Sequence, residues 1–259
     1  MKFSNLNFSI EKEEKTLSII IPVFNKWHFT KNCINDLLKL NNKHEIIIVD
    51  NNSTDETEAE VNKLLNQKKL NSPSLVYIKN FENLGFAGGN NKGYKDSCGK
   101  NILFLNNDIR VKSNFENWTD EIIKYCEEGY LVAANGGLLD NNFSFIRETD
   151  DLIDNPYFYL SGWCLAASKE TFNKLIPNYY RFNGEIHEGK AWGPWSEKFY
   201  PGYFEDDDLS FRAKKLNIPL MVKKQPLVHF GRVTSKSMNL SEMYLKNKEI
   251  FTQIWKDNI

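Results

Sequence analysis

Asn101-Ile-Leu-Phe-Leu-Asn-Asn-Asp-Ile-Arg110 is the stretch that decides how this 259-residue chain reads. Ile102 to Leu105 form an unbroken apolar run, the pattern of a short strand buried on both faces. The run stops at Asn106, Asn107 and Asp108. Open α/β sheets bind ligands beyond the carboxyl ends of their strands, so a buried strand that delivers a carboxylate there marks a candidate site. The same residues also suit an ordinary Asn/Asp turn out of a sheet.

Working outward, three similar runs precede this one. Leu17–Ile21 ends at Pro22, Glu45–Val49 ends at Asp50-Asn51-Asn52, and Leu75–Ile78 follows. Pro22 cannot donate to a ladder and is expected to close the first strand. Between the first two runs, Phe29, Cys33, Leu37 and Leu40 recur at the spacing of an amphipathic helix. Ser53 with Glu56 reads as a capping box for a helix over 55–69, with Val61, Leu64 and Leu65 facing inward. Strands apolar throughout, alternating with helices, predict an α/β fold with a mostly parallel central sheet covered on both faces.

Between the third and fourth strands lies Asn83-Leu-Gly-Phe-Ala-Gly-Gly-Asn-Asn-Lys-Gly93. It is neither GxGxxG nor a Walker loop. Its glycines suit a flexible loop leading into a glycine-tolerant helix, and equally a backbone that approaches a sugar or phosphate closely.

Beyond Asp108, Phe115, Trp118, Ile122, Ile123 and Cys126 predict a helix over 114–127. Leu131–Ala134 and Tyr157–Ala167 read as strands, the second interrupted at Gly162, and Ser168 is placed to cap a short helix. Residues 178–200, rich in aromatics and glycine, are expected to form a long loop, the kind of segment that often carries function. Glu205-Asp-Asp-Asp208 opens a predicted helix through Leu216. Acids favour a helix N-terminus, yet four in succession among aromatics exceed what capping needs, and clustered like charges raise a carboxyl pKa. His229 stands in an otherwise apolar run, followed by a basic patch with Arg232 and Lys236. A final amphipathic helix over 239–257 carries Met243, Leu245, Ile250, Ile254 and Trp255. Its spacing suits packing on the core, the usual case, and would also suit pairing two subunits or lying on a membrane surface.

With 41% hydrophobic and 26% charged residues, the chain has the composition of a soluble globular protein. A net charge of −1 supplies no field to draw it to nucleic acid. Cys33, Cys98, Cys126 and Cys164 have no CxxC or zinc spacing and are expected to be thiols in a reducing compartment. Residues 1–15 lack the apolar core of a signal peptide, and no apolar run approaches the ~18 residues of a membrane span. A cytoplasmic location follows as the expectation, with the inner membrane face open to it.

Six motifs then fall in order: Ser18-Ile-Ile-Ile-Pro-Val-Phe-Asn25, Ile48-Val-Asp-Asn-Asn-Ser-Thr-Asp55, the glycine-rich segment, Leu103-Phe-Leu-Asn-Asn-Asp108, Phe204-Glu-Asp-Asp-Asp-Leu-Ser-Phe-Arg212 and His229-Phe-Gly-Arg-Val-Thr-Ser235. Together they resemble a family 2 glycosyltransferase of the GT-A fold, in the rhamnosyl- and galactosyltransferase-like branch. The resemblance implies one domain, with a nucleotide-sugar half over 16–110, an acceptor half over 111–236 and a C-terminal helix. Pro22, Phe24 and Asn25 would line the nucleotide base and ribose, with Asp50 and Asn52 beside them. Gly85, Phe86 and Gly89 would wrap the ribose and donor sugar. Asn106-Asn107-Asp108 occupies the family's DxD position. With Asn106 standing first, Asp108 is that motif's one charged ligand for Mn²⁺ or Mg²⁺. His229 would be a second ligand, favouring Mn²⁺, and Arg232 would add charge against the diphosphate. Asp206 would take the proton from an acceptor hydroxyl, with Glu205 and Trp163 holding the acceptor. The implied partners are a UDP- or dTDP-linked sugar donor and a glycan or glycoconjugate acceptor, in surface polysaccharide synthesis.

Two other classes compete. A sugar-phosphate nucleotidyltransferase would share the front half but carries a glycine- and arginine-rich loop after the first strand, where this chain reads Pro22-Val-Phe-Asn-Lys26. A non-catalytic carbohydrate-binding module could use the aromatics of 178–200 but would not need Asp50, Asp108, Asp206 and His229 along six motifs.

Overall fold

The computed structural model describes residues 14–67, 71–112, 117–231 and 240–259. The front half runs β1 (Lys15–Val23), α1 (Trp27–Leu37), β2 (His44–Asp50), α2 (Thr57–Leu65), β3 (Ser74–Lys79), α3 (Gly85–Asp96), β4 (Gly99–Leu105) and β5 (Ile109–Val111). It continues with α4 (Trp118–Glu127), β6 (Leu131–Ala133), β7 (Gly136–Leu139), β8 (Phe145–Thr149), β9 (Phe158–Leu160), β10 (Cys164–Ser168) and α5 (Lys169–Lys174). The remainder is β11 (Tyr179–Phe182), β12 (Glu185–Glu188), a 3-10 turn at Glu197–Phe199, α6 (Glu205–Lys215), β13 (Leu220–Val222), β14 (Leu227–His229) and α7 (Leu240–Trp255).

The four apolar runs become adjacent parallel strands in the order β4-β1-β2-β3, with β1 between β4 and β2. β10 extends this sheet antiparallel to β4, and β6 and β13 complete seven strands. Their side chains alternate between two cores: Ile19, Ile21, Ile46, Ile48 and Leu103 face α1 and α4, while Ile20, Ile47, Val49, Ile102 and Phe104 face α3 and α5. That two-sided burial is why the runs lack polar alternation.

Several expectations are corrected. Pro22 does not end β1. Pairing with β4 stops at Ile20 whereas pairing with β2 runs on through Val23, so the proline sits where one side of the ladder has already ended. Ser53 does not cap α2: its hydroxyl accepts from Asn25 N at 2.8 Å, tying together the turns after β1 and β2. Asp55 serves α2 instead, accepting from Thr57 N and from Trp27 N. Residues 178–200 are not one long loop, because β11 and β12 pair as a hairpin turning at Asn183-Gly184, both with positive φ. The C-terminal helix packs on the core as expected, through Tyr244, Asn247, Ile250, Phe251, Ile254 and Trp255, but Leu245 is exposed.

The glycine-rich segment is a helix, α3, lying close on the sheet. A Cβ on Gly93 would stand 2.5 Å from Ile20 Cγ2 and 3.0 Å from Val49 Cγ2. Gly85 has φ +70° and abuts the Pro201 carbonyl, to which Phe86 N donates at 2.9 Å. The helix thus exchanges propensity for proximity. Alanine in a helix interior gains about 1 kcal/mol over glycine, but overpacking a buried branched contact costs about 1–3 kcal/mol. Gly93→Ala is therefore expected to lower the unfolding free energy by up to about 2 kcal/mol, read as a lower urea midpoint at an unchanged m-value. A midpoint equal to or above wild type would show that α3 can lift off the sheet freely.

Candidate active site

A cavity of about 820 Å³ opens where the C-terminal ends of β1 and β4 meet the start of α6. Pro22, Phe24, Gly85 and Phe86 line one side, Asn106, Asn107, Asp108, Trp163 and His229 a second, and Glu205 and Asp206 a third.

Asp108 lies just past β4, 5% exposed, and its Oδ1 accepts no hydrogen bond. His229 Nε2 is 3.3 Å from that oxygen and 3.3 Å from Asn106 Nδ2. Strand pairing enforces this meeting: β14 runs antiparallel to β5 with His229 opposite Ile109, and Phe230 N donates to Asp108 O at 3.1 Å. Trp163 stacks on the imidazole, ring centroids 4.6 Å apart, with its indole N–H donated to Asn135. Asn107 turns its amide inward to Thr30 Oγ1. A buried carboxylate oxygen with an open lone pair beside an imidazole nitrogen fits a borderline divalent cation that fills its remaining positions with phosphate and water. Among the described residues, no three His, Cys, Asp or Glu side chains gather into a complete cage.

The acids of α6 divide by partner. Asp208 accepts from Arg212 Nε at 2.8 Å and Trp255 Nε1 at 3.0 Å, which anchors the helix. Glu205 and Asp207 are 7% and 6% exposed, and Glu205 Oε2 and Asp207 Oδ1 have no hydrogen-bond partner. Burial, and then the charge of Asp206, pushes Glu205 up to about 8. The same causes raise Asp207 well above the usual carboxylate range. Asp206 is also raised by burial, but backbone donors oppose this: Gly162 N reaches Oδ2 at 2.9 Å and Asp207 N reaches Oδ1 at 3.2 Å. Donors to both oxygens favour the ionised form. Within the trio, Asp206 is thus the carboxylate whose ionised form the backbone supports most directly, while burial and its charge hold Glu205 and Asp207 up. The turn entering α6 is strained, since Tyr203 (φ 75°) and Phe204 (φ 72°) are both left-handed, at about 1–3 kcal/mol each.

The other sequence-predicted residues lie off the cavity. Asp50 is fully buried, with its carboxylate taken up by Ser53 N at 2.7 Å and Tyr77 OH at 2.6 Å. Asn25 Oδ1 accepts from Thr54 N. Asn52 is exposed with φ 65°, and Gly89 packs on Asn51 and Pro22. Arg232 falls outside the described residues. Sequence reading passed over several residues that do line the cavity, among them Asn51, Glu148, Tyr159, Asp207 and Tyr244. Asn51 was discoverable: side chains alternate along a strand, so the residue after an inward Asp50 points the other way.

Residues 18–160 match the family model for glycosyl transferase family 2. The chain belongs to that family. Curated family relatives include an uncharacterized glycosyltransferase of Rickettsia bellii, 29% identical over 67% of this chain and 22% of its own length. Another is the GalNAc(5)-diNAcBac-PP-undecaprenol beta-1,3-glucosyltransferase of Campylobacter jejuni, 26% identical over 68% of this chain and 57% of its own. The chain thus spans less than two thirds of either relative. The solved structure of GalNAc-T7 with UDP, GalNAc and Mn²⁺ superposes at a TM-score of 0.68 over 96% of this chain and 49% of that one, at 15% identity. The fold is GT-A.

Raised carboxyl pKa values make stability fall with pH. A carboxyl that ionises near 4.5 when unfolded and near 8 when folded favours the native state fully only at low pH, and loses that advantage as pH rises between the two. Glu205→Gln removes the group. Its melting temperature is expected to match wild type near pH 4.5 and to exceed it increasingly up to pH 8. A constant offset across that window would mean that Glu205 is ionised in the folded protein.

Proposed function

We propose that this chain moves a sugar from a nucleoside-diphosphate donor, UDP- or dTDP-linked, to a hydroxyl of a glycan or glycoconjugate, with inversion at the anomeric carbon. One observation carries the reading: Asp206, with two backbone N–H donors on its carboxylate, and the Asp108–His229 pair line one and the same cavity. A base and a leaving-group site sharing one cavity suit a single in-line displacement. Asp206 accepts the acceptor's proton, held in place by Gly162 N. Glu205, protonated at neutral pH, is able to donate a hydrogen bond to the acceptor. Pro22, Phe24 and Phe86 offer apolar surface to the nucleoside and donor sugar. Gly85 lines the cavity beside them; Asp50, Asn25, Asn52 and Gly89 shape the backbone behind, and Arg232 would add positive charge.

Among the described residues, no lysine or arginine lines the cavity. When bound at Asp108 and His229, Mn²⁺ or Mg²⁺ supplies Lewis acidity to the leaving nucleoside diphosphate. We read the branch as rhamnosyl- or galactosyltransferase-like, on Asn106–Asp108 and Glu205–Asp208. The Campylobacter jejuni relative is named for a lipid-diphosphate-linked acceptor, which supports a glycoconjugate acceptor; we read the setting as surface-glycan assembly at the cytoplasmic side of a membrane. Among the described residues no helix is long and apolar enough to cross one.

Nucleoside diphosphate release from UDP-glucose, UDP-galactose, UDP-GlcNAc, GDP-mannose and dTDP-rhamnose tests the reaction class. Release of pyrophosphate from a sugar phosphate and a nucleoside triphosphate would instead make it a nucleotidyltransferase. General-base help is worth roughly 10²–10⁴-fold, so Asp206→Asn is expected to lose about that factor in kcat while melting normally. Full activity in this variant would remove Asp206 from the mechanism. Added Mn²⁺ is expected to raise the rate of EDTA-treated protein, and Asp108→Asn and His229→Ala to weaken Mn²⁺ binding in a calorimeter. Equal rates with Mn²⁺ and with EDTA would overturn the metal assignment.

A further inference from the structure

The position of Asp206 depends on a turn that makes no regular ladder. Residues 200–204 lead into α6 through left-handed Tyr203 and Phe204, and Asp206 lies within the helix's first turn. A pair of adjacent left-handed residues other than glycine persists only where surrounding contacts hold it. The contact comes from α7. Asn247 is fully buried in the middle of that helix, and its Nδ2 donates to Phe199 O at 2.8 Å and Gly202 O at 2.7 Å, with Tyr203 O at 3.4 Å. One amide nitrogen thus gathers three carbonyls of the turn that presents the acids. Asn247 does not line the cavity, although Ser241, Met243, Tyr244 and Leu245 of the same helix do. Phe251, one turn on, packs against Phe199 and Phe204 and closes the same turn from its apolar side.

We propose that Asn247 is a positioning residue for the transfer reaction: by holding the carbonyls of Phe199, Gly202 and Tyr203, it sets the height and direction of the Glu205–Asp207 carboxyl groups. This rests on the proposed role of Asp206. The α7 helix is then part of the catalytic apparatus, although it lies beyond the segment matched to the family model. Removing the amide lets the turn relax. Asp206 then loses registry with Gly162 N, and with it the donor that keeps the carboxylate ionised.

The experiment compares Asn247→Ala with Trp255→Phe and Asp206→Asn, reading nucleoside diphosphate release from the best donor of the panel above. Trp255→Phe removes the hydrogen bond to Asp208 and serves as a control for weaker docking of α7. Asn247→Ala is expected to lower kcat about 10- to 100-fold with donor KM within about twofold, and to shift the acidic limb of the kcat–pH profile upward. Trp255→Phe, at a comparable loss in melting temperature, is expected to keep its profile and most of its rate. Asn247→Gln retains the donor on a longer arm; it is expected to recover part of the rate, and it replaces the alanine variant if that one does not fold. A folded Asn247 variant with wild-type kcat and pH profile overturns the proposal, as does an equal kcat loss in Trp255→Phe. If Asp206→Asn itself keeps wild-type turnover, the reading of Asp206 fails instead, and the two failures are told apart.

Discussion

Three carboxyl groups packed together at the first turn of α6 are the constraint to which the surrounding structure answers. In a low-dielectric site they cannot all ionise, and the helix N-terminus offers each at most about 1 kcal/mol of dipole stabilisation. Selective donation resolves the conflict. Asp206 receives two backbone N–H groups, whereas Glu205 and Asp207 keep oxygens without partners and are held above the usual range. The helix that carries them is pinned along its length. Ser210 accepts from Leu160 N, Arg212 donates to Asp208, Pro194 O and Leu175 O, and Trp255 reaches back to Asp208.

The two walls of the cavity are joined by the turn between β9 and β10. Gly162 donates its N–H to Asp206, and the next residue, Trp163, lays its ring on His229. Trp163 O also accepts from Asn106 N, so the end of β4 is fastened to the same turn. A Cβ at Gly162 would stand 3.1 Å from Asp206 Cβ and 3.0 Å from the Trp195 ring, which explains a glycine there on packing grounds alone. The antiparallel course of β10 beside β4 makes this link possible. A further parallel strand would carry its C-terminal end, rather than the turn before it, to this edge.

The central sheet was legible because strands buried on both faces leave unbroken apolar runs, and four of these fall in sequence order. What lay beyond that pattern was read less well. The hairpin at 179–188 hid among aromatics and charges, although Asn183-Gly184 is the strongest short hairpin signal there is. Of the stripe assigned to the last helix, Ile250, Ile254 and Trp255 do pack inward, but hydrophobicity counts Leu245 as core and Asn247 as surface, and the fold uses those two the other way round. The meeting of Asp108 with His229 joins residues over a hundred positions apart through a three-residue strand pair. Local pattern could nominate either residue; on the residues alone nothing joined them, and it took the family resemblance to do so.

Buried asparagine is the common thread in what sequence pattern missed. Asn51 donates to Gly85 O and accepts from Asn80; Asn91 donates to Trp195 O and Glu197 and accepts from Trp195 N; Asn247 gathers the turn before α6. Each ties down backbone groups of a loop or helix end that no ladder satisfies, Asn91 from within α3 and Asn247 from within α7. A carboxamide offers a donor and an acceptor on one rigid plane and carries no charge to desolvate. It can therefore stand in for a missing peptide partner inside the protein without burying a charge, although Asn247 leaves its own Oδ1 without a partner. A hydropathy scale ranks the same group among the most exposed residues. At a site assembled from loop ends, the residues that fix the geometry are for that reason the ones whose burial a periodicity argument is least able to foresee.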